Sequence, residues 1–316
     1  MRPTLLITGA DGFVGRALVE SLLPDDRYDL HLLKRCEAAP HPSIGNNVVT
    51  HVSDLRDATT IRDTIRKLQP HAIIHLAAIS PVSYSHLHDC EVVENNLIGT
   101  INLVRACRDY VPKLQHFLYA GTVEEYGATN DRPASELTLC RPNSPYSLSK
   151  FAGTQYVQYM QMAYGFPATI LRATNTYGRR NNANYFIESV ISQILRNPSG
   201  VITVGATHVT RDFMYIDDHV AAYLSVLDKP AKSIGEVFNF STGDARRLKD
   251  VVTLIIGLTG FQGEVAENRI SLRPLEIIDG STSPKKALKV LGWRANWKLE
   301  RGIQQTIRYW RGRTRL

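Results

Sequence analysis

A tyrosine and a lysine four residues apart are the residues of this chain best suited to proton transfer. Tyr146 and Lys150 lie in the stretch SPYSLSKFAGTQYVQYM, so on a helix they share one face, one turn apart. A tyrosine becomes a general acid or base when a neighbouring cation lowers its pKa toward the working pH, and Lys150 can supply that charge. Because the spacing YxxxK is also common in structural helices, its weight depends on what precedes it.

The preceding strand ends in a hydroxyl and two adjacent carboxylates. Residues 119–127 read YAGTVEEYG, which includes Thr122, Glu124 and Glu125. Ligands of parallel sheets bind at the carboxyl ends of strands, so we expect these side chains beside Tyr146. The alternative is that one or both glutamates are exposed loop charges or salt-bridge partners, and Glu125 is the better candidate for such a structural role.

The first elements of the chain predict a dinucleotide site. The stretch TLLITGADGFVGRALVESLL reads as a strand, a glycine-rich turn and an amphipathic helix, with Gly9, Gly12 and Gly15 in the spacing GxxGxxG. The first glycine allows the tight turn, the second lets the backbone approach a pyrophosphate, and the third lets helix and strand pack closely. Such glycines can also form a plain turn, but the flanking strand and helix favour dinucleotide binding.

The second strand, DLHLLKR, ends in Lys34 and Arg35. An acidic residue at this point usually binds a free ribose 2′-hydroxyl, whereas a basic residue accommodates a 2′-phosphate. We therefore expect NADP rather than NAD. The alternative is a solvated basic loop end, which would leave the cofactor as NAD.

Further strands and helices alternate along the chain. VVTHVSDLRD ends a third strand at Asp54 and Leu55, which are placed to hold an adenine edge, and HAIIHLAAIS follows with small residues that leave room for the cofactor. This alternation predicts an α/β fold with a Rossmann-type doubly wound parallel sheet. The predicted cofactor-binding residues are Gly9, Gly12, Phe13, Val14, Gly15, Lys34, Arg35, Asp54, Leu55, Leu76, Ala77, Ala78, Tyr146 and Lys150.

The predicted organisation is a dinucleotide-binding Rossmann domain over residues 1–175 and a smaller, mixed α/β region over residues 176–316 that is mainly substrate-binding. We expect later returns to the large sheet over about residues 205–245, around the strand EVFNFST. No internal repeat or low-complexity linker interrupts the chain.

With these segments in hand, the sequence resembles the nucleotide-sugar epimerase and dehydratase branch of the extended short-chain dehydrogenase/reductase family. The resemblance covers nearly the whole chain, through GADGFVG, SDL, HLAA, NNLIGT, YSLSK, LRATNTYG, RDFMYIDD, FNFSTG and RPLEIIDGSTSPKKALKVLGW. It implies a bound nicotinamide cofactor that transiently oxidises a sugar hydroxyl, usually at C4. It further implies that Tyr146 takes the proton, Lys150 hydrogen-bonds the nicotinamide ribose, and Thr122 hydrogen-bonds the sugar oxygen.

The residues after Thr122 sort the chemistry within this family. In the 4,6-dehydratases of this family the pattern resembles Thr-Asp-Glu or Thr-Ser-Glu at these positions. UDP-glucuronate decarboxylases also carry Thr-Ser-Glu, whereas simple 4-epimerases tend to have short uncharged residues there. Glu124 stands where the dehydratase base removes the C5 proton, but Val123 cannot protonate a leaving hydroxyl. We therefore expect a 4,6-dehydratase, with 4-epimerase, 4-ketoreductase and decarboxylase as alternatives, and a non-catalytic NADP-sensing regulator as the alternative from another class.

The second half supplies the predicted substrate contacts. These are Ser80, Thr122, Asn175, Arg211 and Arg273, with the two arginines converging on the diphosphate of a nucleoside-diphosphate sugar. Asn175 has a loop-capping alternative, and the arginines have one as surface cations. The adjacent carboxylates of residues 217 and 218 have no His or Cys cluster nearby, so we expect helix capping there and no metal site.

Composition narrows the class of protein. The 316 residues are 43% hydrophobic, with four cysteines and a formal charge of +7. The basic residues are scattered, which argues against nucleic acid, and the apolar stretches are too short for a membrane helix. We expect a cytoplasmic enzyme. Its helices have apolar faces that could form the intersubunit four-helix bundle of a homodimer, as in this family, or could cover the sheet.

Overall fold

A parallel sheet forms the centre of the molecule. The computed structural model describes residues 2–36, 48–179, 182–267 and 275–313, and within them no helix is both long and apolar enough to cross a membrane. The strands are β1 (Thr4–Thr8), β2 (Asp29–Lys34), β3 (Val48–Val52), β4 (Ala72–His75), β5 (His116–Thr122), β6 (Ala168–Ala173), β7 (Asn175–Tyr177), β8 (Val201–Val204), β9 (Thr210–Arg211), β10 (Phe213–Tyr215), β11 (Val237–Phe240), β12 (Arg246–Arg247), β13 (Glu264–Glu267) and β14 (Asp279–Gly280).

Seven of these strands form the large sheet in the order β11-β6-β5-β4-β1-β2-β3. Every neighbouring pair in it is parallel; Leu5, for example, pairs with both Leu30 and Ala72. The chain runs outward from β1 in one direction and then from β4 in the other. The strand order therefore reverses between β1 and β4, which opens a crevice at their carboxyl ends.

Helices cover both faces of the sheet. They are α1 (Phe13–Leu22), α2 (Ala58–Leu68), α3 (Val82–Ser85), α4 (Asp89–Val93), α5 (Gly99–Tyr110), α6 (Pro145–Tyr164), α7 (Phe186–Arg196), α8 (Ile216–Leu227), α9 (Pro230–Ser233), α10 (Leu248–Thr259), α11 (Lys285–Leu291) and α12 (Leu299–Arg311). One buried cluster joins the sheet to α2, α5 and α6, and a larger one joins it to α1, α7, α8, α10 and α12. The fold is a doubly wound α/β fold of the Rossmann type, as predicted.

The helix expected over NNLIGTINLVRACRDY begins differently from a plain α-helix. Residues Glu94–Ile98 form a π-helical turn before α5. The Asn96 side chain accepts from the Ile79 N–H and donates to the Ile79 carbonyl and to Ser149 Oγ. A π turn is a common accommodation at functional sites, and here it ties the segment after β4 to α6.

The second half contributes small sheets beside the large one. β7 pairs with β10, β9 lies between β12 and β14, and β8 pairs with β13. Within the range predicted to return to the large sheet, β11 joins it as a neighbour of β6, while β9 and β10 lie in the small sheets. The division into two domains at residue 175 stays a prediction.

Candidate active site

The glycine-rich turn brings three backbone segments into close contact. Gly9 has φ +70°, and a Cβ atom there would lie 2.7 Å from the Ala77 backbone nitrogen. A Cβ on Gly15 would lie 2.3 Å from the Gly9 carbonyl oxygen. Gly12 precedes α1, which begins without a side-chain cap or an acidic residue in its first turn. A helix start of this kind, pressed against two strand ends, fits the pyrophosphate of a dinucleotide.

A cavity of 870 Å³ extends from this turn along the carboxyl ends of β1, β4 and β5. A dinucleotide needs a cleft of about this size. Ten of the predicted residues line it, namely Gly9, Gly12, Phe13, Val14, Gly15, Leu76, Ala78, Ser80, Tyr146 and Lys150. The described predicted residues that are not among its lining residues are Lys34, Arg35, Asp54, Leu55, Ala77, Thr122, Glu124, Asn175 and Arg211.

The two basic residues at the end of β2 have different environments. Lys34 is buried, and its Nζ lies 3.0 Å from Oδ1 of Asp11 in the glycine-rich turn. Arg35 is exposed and close enough to Asp54 to contribute to the lowered pKa of that carboxyl. The larger cause of that lowering is the hydrogen bond from Arg56. The ion pair thus places Lys34 against the turn and leaves Arg35 at the rim.

The two residues predicted to hold an adenine edge have partners of their own. The carboxylate of Asp54 accepts hydrogen bonds from Nε and Nη2 of Arg56, the latter at 2.6 Å. Leu55 is buried against α5, where a Cβ on Gly99 would lie 2.9 Å from its Cβ. Their role in cofactor binding stays a prediction.

Thr122 ends β5 and begins a 3₁₀ turn over Val123–Tyr126. Its hydroxyl accepts from the Glu124 N–H at 3.2 Å, and its own N–H donates to Oε1 of Glu125 at 3.0 Å. This reciprocal arrangement is a capping box. The order Thr-x-x-Glu in the sequence therefore has a local structural reason, and it fixes the backbone on both sides of the Thr122 hydroxyl.

Tyr146 and Lys150 lie at the start of α6, and the tyrosine meets Thr122. Ser144 caps the helix, with Ser147 completing a capping box. The Thr122 side chain is close enough to Tyr146 to act on the pKa of the tyrosine as a hydrogen-bonding group. The Nζ of Lys150 lies 4.4 Å from the centroid of the Tyr119 ring, on the strand that also carries Thr122. Helix start and strand end thus bring the three predicted catalytic groups together.

Burial dominates the titration of both predicted proton-transfer residues. It raises the pKa of Tyr146, against which the Thr122 hydrogen bond acts, while the charge of Glu124 raises it further. Desolvation is the larger effect on Tyr146 in this structure, and the expectation that Lys150 lowers the pKa of Tyr146 stays a prediction. Burial also lowers the pKa of Lys150 to about 8, with the charge of Glu125 acting in the opposite direction.

Glu124 and Glu125 point to different surroundings although they are adjacent. Glu124 is partly exposed, and its charge influences the pKa of both Tyr146 and Arg132. Glu125 is fully buried and pairs with Arg172 on β6, with Oε2 2.9 Å from Nε. Val123 is buried in a small cluster with residues 126 and 134. Of the two carboxylates, Glu124 acts more strongly on the pKa of Tyr146, while Glu125 is held by Arg172.

The predicted substrate residues have mixed positions. Ser80 lines the cavity and its Oγ lies 2.9 Å from the Tyr185 hydroxyl. Asn175 donates to the Asp212 carbonyl at 3.3 Å. Arg211 is buried, donates to the carbonyl of residue 277 and forms an ion pair with Glu276. Arg273 lies outside the described residues, so its convergence with Arg211 stays a prediction.

The expected helix capping by Asp217 and Asp218 is wrong. Both lie inside the first turn of α8, whose N-cap is Tyr215. Asp217 pairs with Arg179 at 2.8 Å. Asp218 accepts from the backbone N–H groups of residues 296 and 297, so it joins α8 to the segment before α12. Tertiary partners outside the helix take the carboxylates in place of the local N–H groups.

Several residues that line the cavity were not predicted from the sequence. They include Arg179, Asn182, Tyr185, His219, Tyr223, Tyr309 and Arg313. Arg179, Asn182 and Tyr185 lie in the polar run GRRNNANY, which directly follows LRATNTY. This position after a strand end is the signal that could have predicted them. The other four form two pairs with a spacing of four residues on α8 and at the end of α12, a spacing that places each pair on one helix face.

Comparison with known proteins agrees with this site. The model of the NAD dependent epimerase/dehydratase family matches residues 5–241. The dTDP-glucose 4,6-dehydratase of Haemophilus influenzae is 29% identical over 332 residues, with 97% of each chain covered. The UDP-glucose 4-epimerase of Thermotoga maritima, solved with UDP-glucose, superposes with a TM-score of 0.89 at 25% identity, covering 98% of this chain and 99% of that one.

A further solved structure is that of the Thermus thermophilus UDP-glucose 4-epimerase in complex with NAD. It has a TM-score of 0.86 at 28% identity and covers 99% of each chain. The chain belongs to the NAD-dependent epimerase/dehydratase family, within the extended short-chain dehydrogenases/reductases. It is an enzyme with a nicotinamide cofactor, and the glycine turn, the cavity and the residues at its floor fit that group.

Proposed function

We propose that this enzyme is a nucleoside-diphosphate-sugar 4,6-dehydratase. The observation that carries the proposal is that Glu124, in the turn that begins at Thr122, is the carboxylate that acts most strongly on Tyr146. A second carboxylate beside the oxidising tyrosine has a chemical use in dehydration and none in simple 4-epimerisation. The curated dehydratase from Haemophilus influenzae, 29% identical over nearly the whole chain, supports the same choice.

The first stage oxidises the sugar at C4. Tyr146, as phenolate, takes the proton of the C4 hydroxyl, and the Thr122 hydroxyl holds that oxygen. Since burial raises the pKa of Tyr146, the phenolate must be stabilised when it forms, and the ammonium of Lys150 is the nearby cation suited to this. The glycine-rich turn would hold the nicotinamide cofactor, whose chemistry would be to accept the C4 hydrogen with its electron pair and to supply it again at C6.

The second stage is elimination of water, and one carboxylate can serve both of its proton transfers. The C4 ketone acidifies the C5 hydrogen, which Glu124 removes. The protonated Glu124 then gives this proton to the C6 hydroxyl as the C–O bond breaks and water leaves. This use of Glu124 accommodates Val123, which is turned into an apolar cluster and has no proton to give. The proton held by Tyr146 finally returns to C5, so the products are a 4-keto-6-deoxy sugar and water.

A second candidate is a nucleotide-sugar 4-epimerase. Val123 favours it, because a buried apolar side chain at this position supplies no acid for a leaving hydroxyl. The likeness to the Thermotoga maritima epimerase supports it as well. In that case Tyr146 and Lys150 keep their roles, and Glu124 is a charge in the turn after Thr122.

We propose NADP as the preferred cofactor. The end of β2 carries Lys34 and Arg35 in place of the acidic residue that binds a ribose 2′-hydroxyl. The ion pair between Lys34 and Asp11 neutralises the one carboxylate of the glycine-rich turn, which would otherwise repel a phosphate. Exposed Arg35 is then available for the 2′-phosphate. Dissociation constants of the two cofactors test this, and equal or tighter binding of NAD would contradict it.

We also propose a homodimer built on α6. Leu148, Tyr159 and Met162 lie on one face of this helix with exposed fractions of 52%, 49% and 81%. Their spacing of 11 and 14 residues keeps them in line along the helix, which is a pattern expected for packing against a second copy. Sedimentation equilibrium of the wild type and of Met162→Glu tests the assignment, and a monomeric wild type would overturn it.

Mass spectrometry of the sugar product tests the dehydratase proposal. The enzyme is incubated with NADP or NAD and with UDP-, dTDP-, GDP- and CDP-hexoses. We expect a product lighter by one water, formed by the wild type and by Glu124→Asp at a reduced rate, and absent with Glu124→Gln. An isomer of unchanged mass would instead establish the epimerase, and loss of water by Glu124→Gln at the wild-type rate would remove Glu124 from the mechanism.

A further inference from the structure

A buried ion pair lies directly behind the catalytic strand end. The side chain of Glu125 has no exposed surface, and that of Arg172 on the neighbouring strand β6 is 5% exposed. Oε1 of Glu125 accepts from the Thr122 N–H, and Oε2 accepts from Nε of Arg172. A Cβ on Gly121, which lines the cavity, would lie 2.9 Å from Oε1 of Glu125. The carboxylate is thus in contact with the backbone that forms the cavity floor.

The pair continues into a hydrogen-bonded chain across the sheet. Nη1 of Arg172 donates to the Tyr126 hydroxyl at 3.2 Å, and this hydroxyl donates to Oδ1 of Asn239 at 2.6 Å. Asn239 lies on β11, the edge strand beyond β6. Every member of the chain is buried. Two buried charges are costly to desolvate, and a hydrophobic pair of similar volume is often as stable, so stability alone does not account for them.

The charge of Glu125 also acts on Lys150. Burial lowers the pKa of Lys150, and Glu125 is the group that opposes this lowering. Other polar groups near Lys150 include His75, whose pKa is lowered by burial and by Lys150 itself, and Tyr119, whose ring centroid lies 4.4 Å from Nζ. Oε1 of Glu125 lies against Gly121, two residues along β5 from Tyr119, the residue whose ring Lys150 contacts. Neutral histidine and tyrosine provide no counter-charge, so Glu125 is the anionic group that acts on Lys150 here.

We propose that Glu125, held by Arg172, is a positioning residue for catalysis with two effects. It fixes the Thr122 backbone so that the threonine hydroxyl meets Tyr146, and it supplies the buried negative charge that keeps Lys150 protonated at working pH. The inference rests on the roles of Thr122, Tyr146 and Lys150 in the proposed function. It is independent of whether the product is a dehydrated or an epimerised sugar.

The test uses the double variant Glu125→Gln/Arg172→Gln, because Glu125→Gln alone leaves a buried arginine without a counter-charge and destabilises the fold. Two amides can keep the hydrogen bonds to Thr122 and between strands while removing both charges. The matched control is Glu236→Gln/Lys286→Gln, which removes a more exposed ion pair at the edge strand β11. Circular dichroism and thermal melting establish that each variant is folded.

Lysine labelled with carbon-13 at Cε reports the titration of Lys150 by NMR in the cofactor-free protein, with Lys150→Met identifying the signal. We expect a midpoint of about 8 in the wild type and in the control. In the double variant we expect a midpoint lower by about one pH unit. An unchanged or higher midpoint in the folded double variant would overturn the electrostatic effect.

The positioning of Thr122 is read from kinetics on the acid side of the Lys150 titration. There Lys150 is protonated in every variant, so a fall in kcat without a rise in KM reports misplacement of the reacting hydroxyl. Because the Gln pair keeps the acceptor of the Thr122 N–H, this readout uses Glu125→Leu/Arg172→Leu, which removes both the acceptor and the two charges. We expect a fall of about tenfold for the Leu pair and no change for the control. An unchanged kcat would overturn this part of the proposal. If the sugar product contradicts dehydration, the NMR shift is still expected, so the two failures are distinguishable.

Discussion

The two ends of the cavity are built in different ways. Around the cofactor turn, the shape is set by backbone atoms, as when the Gly9 carbonyl leaves 2.3 Å for any Cβ on Gly15. At the other end, the lining includes side chains from distant segments, as when the hydroxyls of Ser80 and Tyr185, 105 residues apart in the chain, lie 2.9 Å from each other. The comparison teaches that a binding surface made of backbone can be predicted from the local spacing of residues, whereas one made of side chains depends on tertiary packing.

The largest expected effect comes from the residue where both ends meet. Replacing Tyr146 by Phe removes the proton acceptor and keeps the ring in its partly buried position. We expect kcat to fall by about 10³-fold, equivalent to about 4 kcal/mol of barrier, with cofactor affinity retained. Steady-state kinetics and cofactor titration measure both. A variant that keeps a tenth of the wild-type rate would assign the proton transfer to another group.

The backbone-defined end is tested with a single methyl group. Gly15→Ala places a Cβ against the Gly9 carbonyl and the Ala10 backbone, neither of which is the end of a flexible side chain. We expect a loss of about 3 kcal/mol in the free energy of unfolding, together with weakened cofactor binding. Gly257→Ala in α10 is the matched control, because its Cβ meets open space, and we expect it to stabilise the protein slightly. Equal melting temperatures for the two variants would contradict the claim that backbone contacts set the shape of the cofactor end.

The side-chain-defined end has a smaller expected effect on stability. Arg211→Met removes the partner of Glu276 and the donor to two backbone carbonyls. We expect a loss of about 2 kcal/mol in the free energy of unfolding and a rise in KM for the nucleotide sugar, with cofactor affinity unchanged. Arg246→Met, which removes an exposed pair with Asp244, is the control and should cost less than about 1 kcal/mol. A change in cofactor affinity with Arg211→Met would contradict the description of the two ends as independent.

The sequence predicts the fold and the cofactor half of the site well, for a physical reason. Parallel strands that alternate with helices leave a strong periodic signal, and the spacing of Gly9, Gly12 and Gly15 is imposed by local backbone geometry. The spacing of Tyr146 and Lys150 is local to one helix in the same way. Each of these predictions needs only neighbours within a turn or a loop.

Predictions that depended on the surroundings of a charge were less successful. Asp217 and Asp218 have the order expected of helix caps, but Arg179 and the backbone before α12 take their carboxylates. Desolvation has the largest effect on the pKa of Tyr146, and the spacing does not reveal it. Burial and long-range partners decide such cases, and neither is visible in the order of residues along the chain.

The adjacent carboxylates at the end of β5 illustrate both situations. The capping-box order Thr-x-x-Glu is local and assigns Glu125 to the turn. The charge that accompanies it, Arg172, lies 47 residues further along the chain and becomes a partner only through strand pairing. The capping box uses the carboxylate of Glu125 and not that of Glu124, whose charge acts on Tyr146. The role of Glu124 in the reaction is the one that we propose above.

The central claim is that Glu124 acts after the sugar has been oxidised. The most direct measurement mixes Glu124→Gln, loaded with oxidised cofactor, with the nucleotide sugar that the wild type consumes, and follows the near-ultraviolet absorbance of reduced nicotinamide in a single turnover. We expect the variant to oxidise C4 and stop, so that reduced cofactor accumulates and no water is lost. Product formation by the variant at the wild-type rate, with no accumulation, would contradict the claim.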